Sequence, residues 1–439
     1  MAKLTPKWLA LLSAAVLTAG SVFAQDSGPL IDLLVKKGIV TDQEGEQLRA
    51  DLQKDFAANS SAGKLNVSSS LSELRISGDV RVRYEYRQAQ APNGDNVDRG
   101  RFRYRLRPAI TGQLGSDWFF GFRLENGSGA RSSNVTWSDQ GGPWAKTNDT
   151  VYVGQVYLGY RPNNDWTITA GRISNPFVST LMVWDADINP EGFGEQFKMT
   201  SGNTTYFANF GQLLYDSANP QNSIAPAINR QDQYLLGWQA GVTFKLNETD
   251  TFQLAPVLYQ YVNNKPTAKT FAGAFSPTNV SAINNLVVVD MPFEYSFTAA
   301  GLAPSRVFGD LAYNLDGKQR AKKFGRADLD NQVYAWQLGY QYGKAKLKGE
   351  WDAKLYYQAT GLFALDPNLV DSDIFDSRTN MNGLILTTNY QLTDALTFTF
   401  TAANGAAKNK TAVSAGSGDI GIAQLNKLNL LQFDVVAKF

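Results

Sequence analysis

The chain has 439 residues, 41 basic and 40 acidic, with no Cys and no His. That excludes a disulfide framework, thiolate and imidazole metal sites, a cysteine nucleophile and any Ser-His-Asp triad. A formal charge of +1 offers no bulk attraction for nucleic acid, and none is expected as a partner. Aromatics are abundant, with 25 Phe, 19 Tyr and 9 Trp against 5 Met. The mean hydropathy of −0.27 does not argue against a membrane barrel, whose lipid-facing and water-facing residues cancel in the average.

Residues 1–24 read as a secretory signal peptide. Lys3 and Lys7 supply the positive end, Trp8 to Gly20 the apolar core, and Val22-Phe23-Ala24 a small-residue cleavage site. An apolar run of about 13 residues falls short of the ~20 that a spanning helix needs, so export is expected rather than anchoring. Losing Lys3 and Lys7 leaves 39 basic against 40 acidic residues, a net −1. Residues 25–56 form the helical segment. LIDLLVKKG stops at Gly38, a suitable left-handed cap, and Thr41 opens a TDQE capping box in which Glu44 reaches back to the Thr41 amide. Leu48, Leu52 and Phe56 then share one helical face. The segment reads either as a helical hairpin packed on itself or the barrel mouth, or as a periplasmic oligomerisation or cell-wall contact. Residues 57–72, rich in Ser and Ala, are a linker.

From residue 73 to 439 the period is two. Leu74, Ile76, Val80, Val82, Tyr84 and Tyr86 share one face, and Arg75, Asp79, Arg81, Arg83, Glu85 and Arg87 the other. The next run sets Phe102, Tyr104, Leu106 and Ile110 against Arg101, Arg103, Arg105 and Arg107. WFFGFRLE sets Trp118, Phe120, Phe122 and Leu124 against Arg123 and Glu125. Strands follow near 151–161, 166–173, 192–199, 204–214, 233–246, 251–262, 285–297, 305–315, 332–343, 346–358, 381–392, 395–403 and 427–439, about sixteen in all. Short connections at one end alternate with long polar loops at the other. An all-β, transmembrane, antiparallel β-barrel with tight periplasmic turns requires that alternation, and closure satisfies every backbone polar group in lipid.

On the last strand Leu431, Phe433, Val435, Ala437 and the terminal Phe439 share a face. A terminal aromatic on an alternating strand resembles the signal read by the outer-membrane assembly machinery. With PLIDLLVKKGIVTDQEGEQLRADL, RISGDVRVRYEYR, VWDADINPEGFG (Val183–Gly194) and LGYQYGKAKLKGEWDAKLYY, the chain resembles Gram-negative porins, more narrowly the "putative porin" family with an N-terminal helical segment. The resemblance implies an outer-membrane channel in contact with lipid and lipopolysaccharide, passing small hydrophilic solutes and ions, and assembled as a homo-oligomeric trimer. It implies neither cofactor nor metal.

Arg81, Arg83, Arg101, Arg103, Arg105, Arg107 and Arg123 face one side by strand parity. They form either a basic wall that attracts anions or a filling that pairs with loop carboxylates. The loop from Ser174 to Glu191 carries Asp185, Asp187 and Glu191 and resembles the loop that narrows general porins; the other reading is an external loop with solvated acids. Asp371, Asp373 and Asp376 could hold Ca²⁺ through oxygen ligands, but the Gly and Glu of an EF-hand loop are absent and a solvated loop is expected. The expected function is passive diffusion with a weak anion preference. The alternatives are a facilitator specific for phosphate, other anions or sugars, and a structural barrel tethering outer membrane to cell wall. No Gly-x-Ser-x-Gly motif stands in the chain, and an enzyme is not expected.

Overall fold

The computed structural model describes residues 70–127, 131–139, 143–144, 150–217, 232–262, 286–298, 303–412 and 416–439 without 417 and 423; ahead of these it describes only 35–37, 41, 44, 46–47 and 68. The chain divides into two compact units, Met1–Ser68 and Ser69–Phe439. In the first, the Thr41 amide donates to Glu44 Oε2 at 2.9 Å and the Glu44 amide to Thr41 Oγ1 at 3.3 Å, the expected capping box. The leader, its cleavage site and the Leu48–Phe56 face lie outside the described residues.

The second unit is a closed antiparallel barrel of sixteen strands. They are β1 Leu71–Gln90, β2 Asn96–Leu114, β3 Trp118–Asn126, β4 Val151–Tyr160, β5 Trp166–Arg172, β6 Glu191–Ser201, β7 Thr204–Asp216 and β8 Gln233–Lys245. Next come β9 (Thr251–Leu254 with Val257–Val262), β10 (Val287–Asp290 with Phe293–Phe297), β11 Ser305–Asn314, β12 Tyr334–Lys344, β13 Trp351–Thr360, β14 Met381–Thr393, β15 Leu396–Ala407 and β16 Lys427–Lys438. The breaks in β9 and β10 fall at Pro256 and Pro292, which have no amide to donate to a ladder, and they sit side by side: the Ala255 amide donates to Pro292 O at 3.0 Å. A two-residue strand, Val135–Thr136, lies inside the β3–β4 loop and pairs with β2.

Period two produces the two faces. Val80, Val82, Tyr84 and Leu106 are exposed on the outer wall, while Arg81, Arg83 and Arg105 between them are buried. Near the short-turn end the outer face carries ring pairs: Trp118–Tyr160 at 4.7 Å, Trp166–Phe197 at 5.1 Å and Tyr342–Trp351 at 5.6 Å. Aromatics so placed are the girdle of a membrane barrel.

Three boundaries differ from the sequence reading. The β1–β2 connection, read as the long loop 88–100, is a tight hairpin at 91–95, because both strands continue beyond the wall. Residues 346–350, read as strand, belong to a turn in which Glu350 Oε2 accepts from the amides of Lys346 and Leu347, each at 2.9 Å. The loop after β11, read as polar coil, holds a helix, α1 (Gly317–Lys323), and a 3₁₀ turn at Ala327–Leu329.

The apolar core lies inside the barrel, between its wall and loops that fold inward. Phe177, Met182, Val183 and Trp184 of the loop 173–190 pack with Leu213, Leu235 and Tyr259 of β7–β9 and with Leu365 and Val370 of the loop 361–380.

Closure is made by β16 against β1, from Asp79↔Lys438 to Gln90↔Lys427. Phe439 adds a last link: its amide donates to Gly78 O at 3.1 Å and Gly78 N–H donates to Phe439 O at 2.9 Å. Its ring covers Gly78, where a Cβ would stand 2.7 Å from the ring. Deleting Phe439 removes two backbone bonds worth about 1 kcal/mol each from a long seam. We expect heat-shift electrophoresis to show a lower yield of folded barrel in the outer membrane, with unchanged single-channel conductance in assembled copies. A normal yield would end the assembly role.

Candidate functional site

The arginines of β1 and β2 stand opposite one another on the inner face, Arg81↔Arg105 and Arg83↔Arg103 among them. Like charges so close need counter-charges, and carboxylates supply them from two directions. From the wall, Asp434 of β16 takes Arg83 Nε and Nη2 at 2.6 and 2.8 Å, and Asp79 takes Arg105 at 2.9 Å and Arg107 at 2.7 Å. Glu85 meets Arg101 at 2.6 Å and Arg87 at 3.0 Å. From the loops, Asp187 reaches Arg107 at 3.1 Å, Asp373 reaches Arg83 at 2.7 Å, Asp376 reaches Arg87 at 2.8 Å and Asp419 reaches Arg101 at 2.5 Å. Seven guanidiniums (Arg81, Arg83, Arg87, Arg101, Arg103, Arg105, Arg107) thus share seven carboxylates (Asp79, Glu85, Asp187, Asp373, Asp376, Asp419, Asp434). Arg378 also meets Asp376 at 3.4 Å, and Arg99 meets Asp419 at 3.8 Å and Asp139 at 3.5 Å, so among the described residues the connected lattice holds nine guanidiniums against eight carboxylates and is close to neutral. Arg123, on β3, pairs with Glu125 at 2.9 Å.

The loop 173–190 is held to the wall by side chains of several strands. Gln239 of β8 accepts from the Val178 amide and donates to Val178 O, both at 2.8 Å. Thr180 Oγ1 donates to Asp310 of β11. Phe177 lies over Gly211 and Gly237, where a Cβ would stand 2.7 and 2.1 Å from its ring; the two glycines clear its seat. The loop 361–380 folds in from the opposite side and locks onto it. The Asp185 amide donates to Leu369 O at 2.6 Å, the Ser372 amide to Asp185 Oδ2 at 2.9 Å and the Asp371 amide to Leu181 O at 3.2 Å.

Of the three acids assigned to the constriction, Asp185 and Asp187 are therefore inside, at the loop junction and on the arginine lattice. Glu191 is not with them. It opens β6 on the outer face and meets Arg172 at 3.6 Å. Of Asp371, Asp373 and Asp376, read as solvated, Asp376 is buried and the other two are half-buried, and Asp373 and Asp376 serve as counter-ions to Arg83 and Arg87. Among the described residues no group of three or more acids is placed to hold a metal ion.

What the sequence reading missed is the other wall. Between the loop 173–190 and β9–β13 lies a cavity of about 240 Å³ lined by Thr180, Glu294, Arg306, Phe308, Lys354 and Tyr356 among others. Arg306 donates to Glu294 at 2.8 Å. The Lys354 ammonium lies 5.3 Å from the Tyr356 ring centre, with no carboxylate ion pair among the described residues. Parity of GEWDAKLYY and SRVFGD was the signal that could have found them.

Burial, with Asp187 and Asp373 as neighbouring carboxylates, pushes Asp185 up to about 7. Burial raises Asp371 as well, with Asp185 and Asp373 adding to it. Burial would also raise Asp373, but Arg83 and Arg87 overcome it and hold that carboxyl well below the usual range.

Residues 87–291 match the model of the family described as "Putative porin". No curated protein sequence matches the chain. Among solved structures, the anion-selective porin from Comamonas acidovorans is 12% identical, with 84% of this chain and 99% of that one covered and a TM-score of 0.46. The outer membrane channel DcaP of Acinetobacter baumannii is 13% identical, with 85% and 99% covered and a TM-score of 0.46. A mutant of Rh. blastica porin is 11% identical, with 84% and 100% covered and a TM-score of 0.43. The chain is similar to the "putative porin" family over residues 87–291, and its fold is a closed sixteen-strand antiparallel β-barrel.

The junction should loosen with pH. A carboxyl raised in the folded state binds its proton more tightly there than in the unfolded chain, so its support is full below the usual Asp range, ~4, and is lost as pH rises toward about 7. Single-channel recordings between pH 5 and 8 should show current fluctuations increasing with pH. Asp185→Asn keeps an acceptor for the Ser372 amide and removes the charge, so its trace should stay as quiet at pH 8 as at pH 5. Equal pH dependence in both proteins would discard Asp185 as the source.

Proposed function

We propose that the mature chain, released from its leader at residue 24, is a passive diffusion channel for small hydrophilic solutes with a weak anion preference. The observation that carries this reading is the nearly neutral lattice. Eight carboxylates against nine arginines cancel most of the basic wall, while Arg306 and Lys354 stand beside the cavity on the opposite wall. Selectivity then rests on few charges. A transverse field between the loop acids and the arginines orients a passing dipole without excluding either ion. The barrel works as a homo-oligomer, a trimer, in lipid and lipopolysaccharide, after delivery to the assembly machinery by its terminal strand.

Reversal potentials in a KCl gradient across a planar bilayer test the charge assignment. One charge ~8 Å from the ion path is worth about 0.5 kcal/mol in water, roughly a twofold change in local ion concentration. Lys354→Gln should shift the anion-to-cation permeability ratio toward cations by about that factor. Asp187→Asn should shift it toward anions by releasing Arg105 and Arg107. Arg103→Gln with Arg105→Gln should move it toward cations. Unchanged potentials in all three proteins would show that none of these residues touches the conducting path.

A further inference from the structure

Among the described residues, one charge stands on the outer face in the body of the wall. Glu195 lies four residues from the start of β6 at Glu191 and six from its end at Ser201, opposite Ile168 of β5 and Phe210 of β7. Its direction is settled by its neighbours. Gln196, on the other face, donates to Pro176 O of the inward loop at 3.0 Å, whereas Phe193, in register with Glu195, is 55% exposed. Glu195 has an amide partner, Gln212 of β7, whose Nε2 donates to it at 3.1 Å. Four residues above, Arg172 and Glu191 form a half-exposed pair at 3.6 Å on the same face.

A carboxylate at mid-wall is costly against hydrocarbon. The wall is also short at β5, beside the eleven residues of β6 and thirteen of β7. β5 has seven residues, and a tilted membrane strand needs about 9–11 to span the apolar band. Both observations say that lipid is not the neighbour of this sector. The patch holds one guanidinium and two carboxylates within a few residues, so each copy can set its Arg172 against the Glu195 of the next. Such a head-to-tail contact closes into the ring that a trimer requires.

We propose that the outer face of β5–β7, centred on Glu195, is where the barrel packs against a second copy of this chain. This rests on the oligomeric reading above and adds the face. The absence of native cysteine makes the test clean. Single-cysteine proteins Phe193→Cys, Ala170→Cys and Gln212→Cys label the patch; Leu338→Cys, exposed on β12, labels the remote wall. Each is first checked for the folded, heat-shifted band, then treated in vesicles with a short bismaleimide and with a lipid-anchored maleimide. We expect intersubunit cross-links at least tenfold more abundant from the β5–β7 positions than from Leu338→Cys, and the reverse order of labelling from the lipid phase. Cross-links from Leu338→Cys alone would keep the oligomer and overturn this face. Monomer mass with no cross-link from any position would overturn both. Lipid labelling of Phe193→Cys and Ala170→Cys as fast as Leu338→Cys would show the patch open to the bilayer.

Discussion

Glu85 has no exposed surface and lies between 2.6 and 3.9 Å from four guanidiniums, those of Arg83, Arg87, Arg101 and Arg103, while Gln432 donates to it at 2.9 Å. A lone buried carboxylate would cost several kcal/mol, and four cations around one anion leave a surplus that must be met elsewhere. The surplus is met by Asp434 from the closing strand and by Asp373, Asp376 and Asp419 from loops. Charge balance at one inner wall therefore dictates that distant segments turn inward. It also welds the seam, since Arg83 on β1 and Asp434 on β16 are bridged by two hydrogen bonds across the closure.

Ion pairs alone would not hold a loop in water, because exposed pairs are worth little. The inward loops bring their own apolar anchors. Phe177, Met182 and Trp184 bury themselves against Leu213, Leu235 and Tyr259, and Gln239 fixes the backbone at Val178 through two bonds. Once that core forms, the carboxylates nearby are shielded and their pairs with arginine strengthen. The lumen is thereby divided. One side is packed and close to neutral; the other keeps a cavity with Arg306, Glu294 and Lys354 on its wall.

The strands were legible because lipid outside and a polar interior inside impose period two on nearly every segment, and the short turns fall on one end. Even β9 and β10, interrupted by Pro256 and Pro292, kept enough alternation to be read through the break. The loops were not legible. Asp371-Ser372-Asp373 looks solvated to any local rule, and its true neighbours, Arg83 and Arg87, are about 290 residues away in the chain. The parity of the arginines was readable, but not their burial, which the loops decide. Glu191 was placed with the loop because nothing local marks where β6 begins.

The same parity argument runs in the opposite direction on the outer face. Along β6, Phe193, Phe197 and Met199 obey the lipid rule, and Glu195 between them does not. Inside the barrel an exception such as Phe177 over Gly211 and Gly237 is explained by a third body, the loop, occupying the space. An apolar ring inside and a carboxylate outside are the same kind of sign: each marks a place where the solvent assumed from the strand pattern has been replaced by protein. On the inner face the replacing segment is in the chain itself and can be named. On the outer face the wall is already closed by β5 and β7 on either side of β6, so what replaces lipid there must come from another molecule.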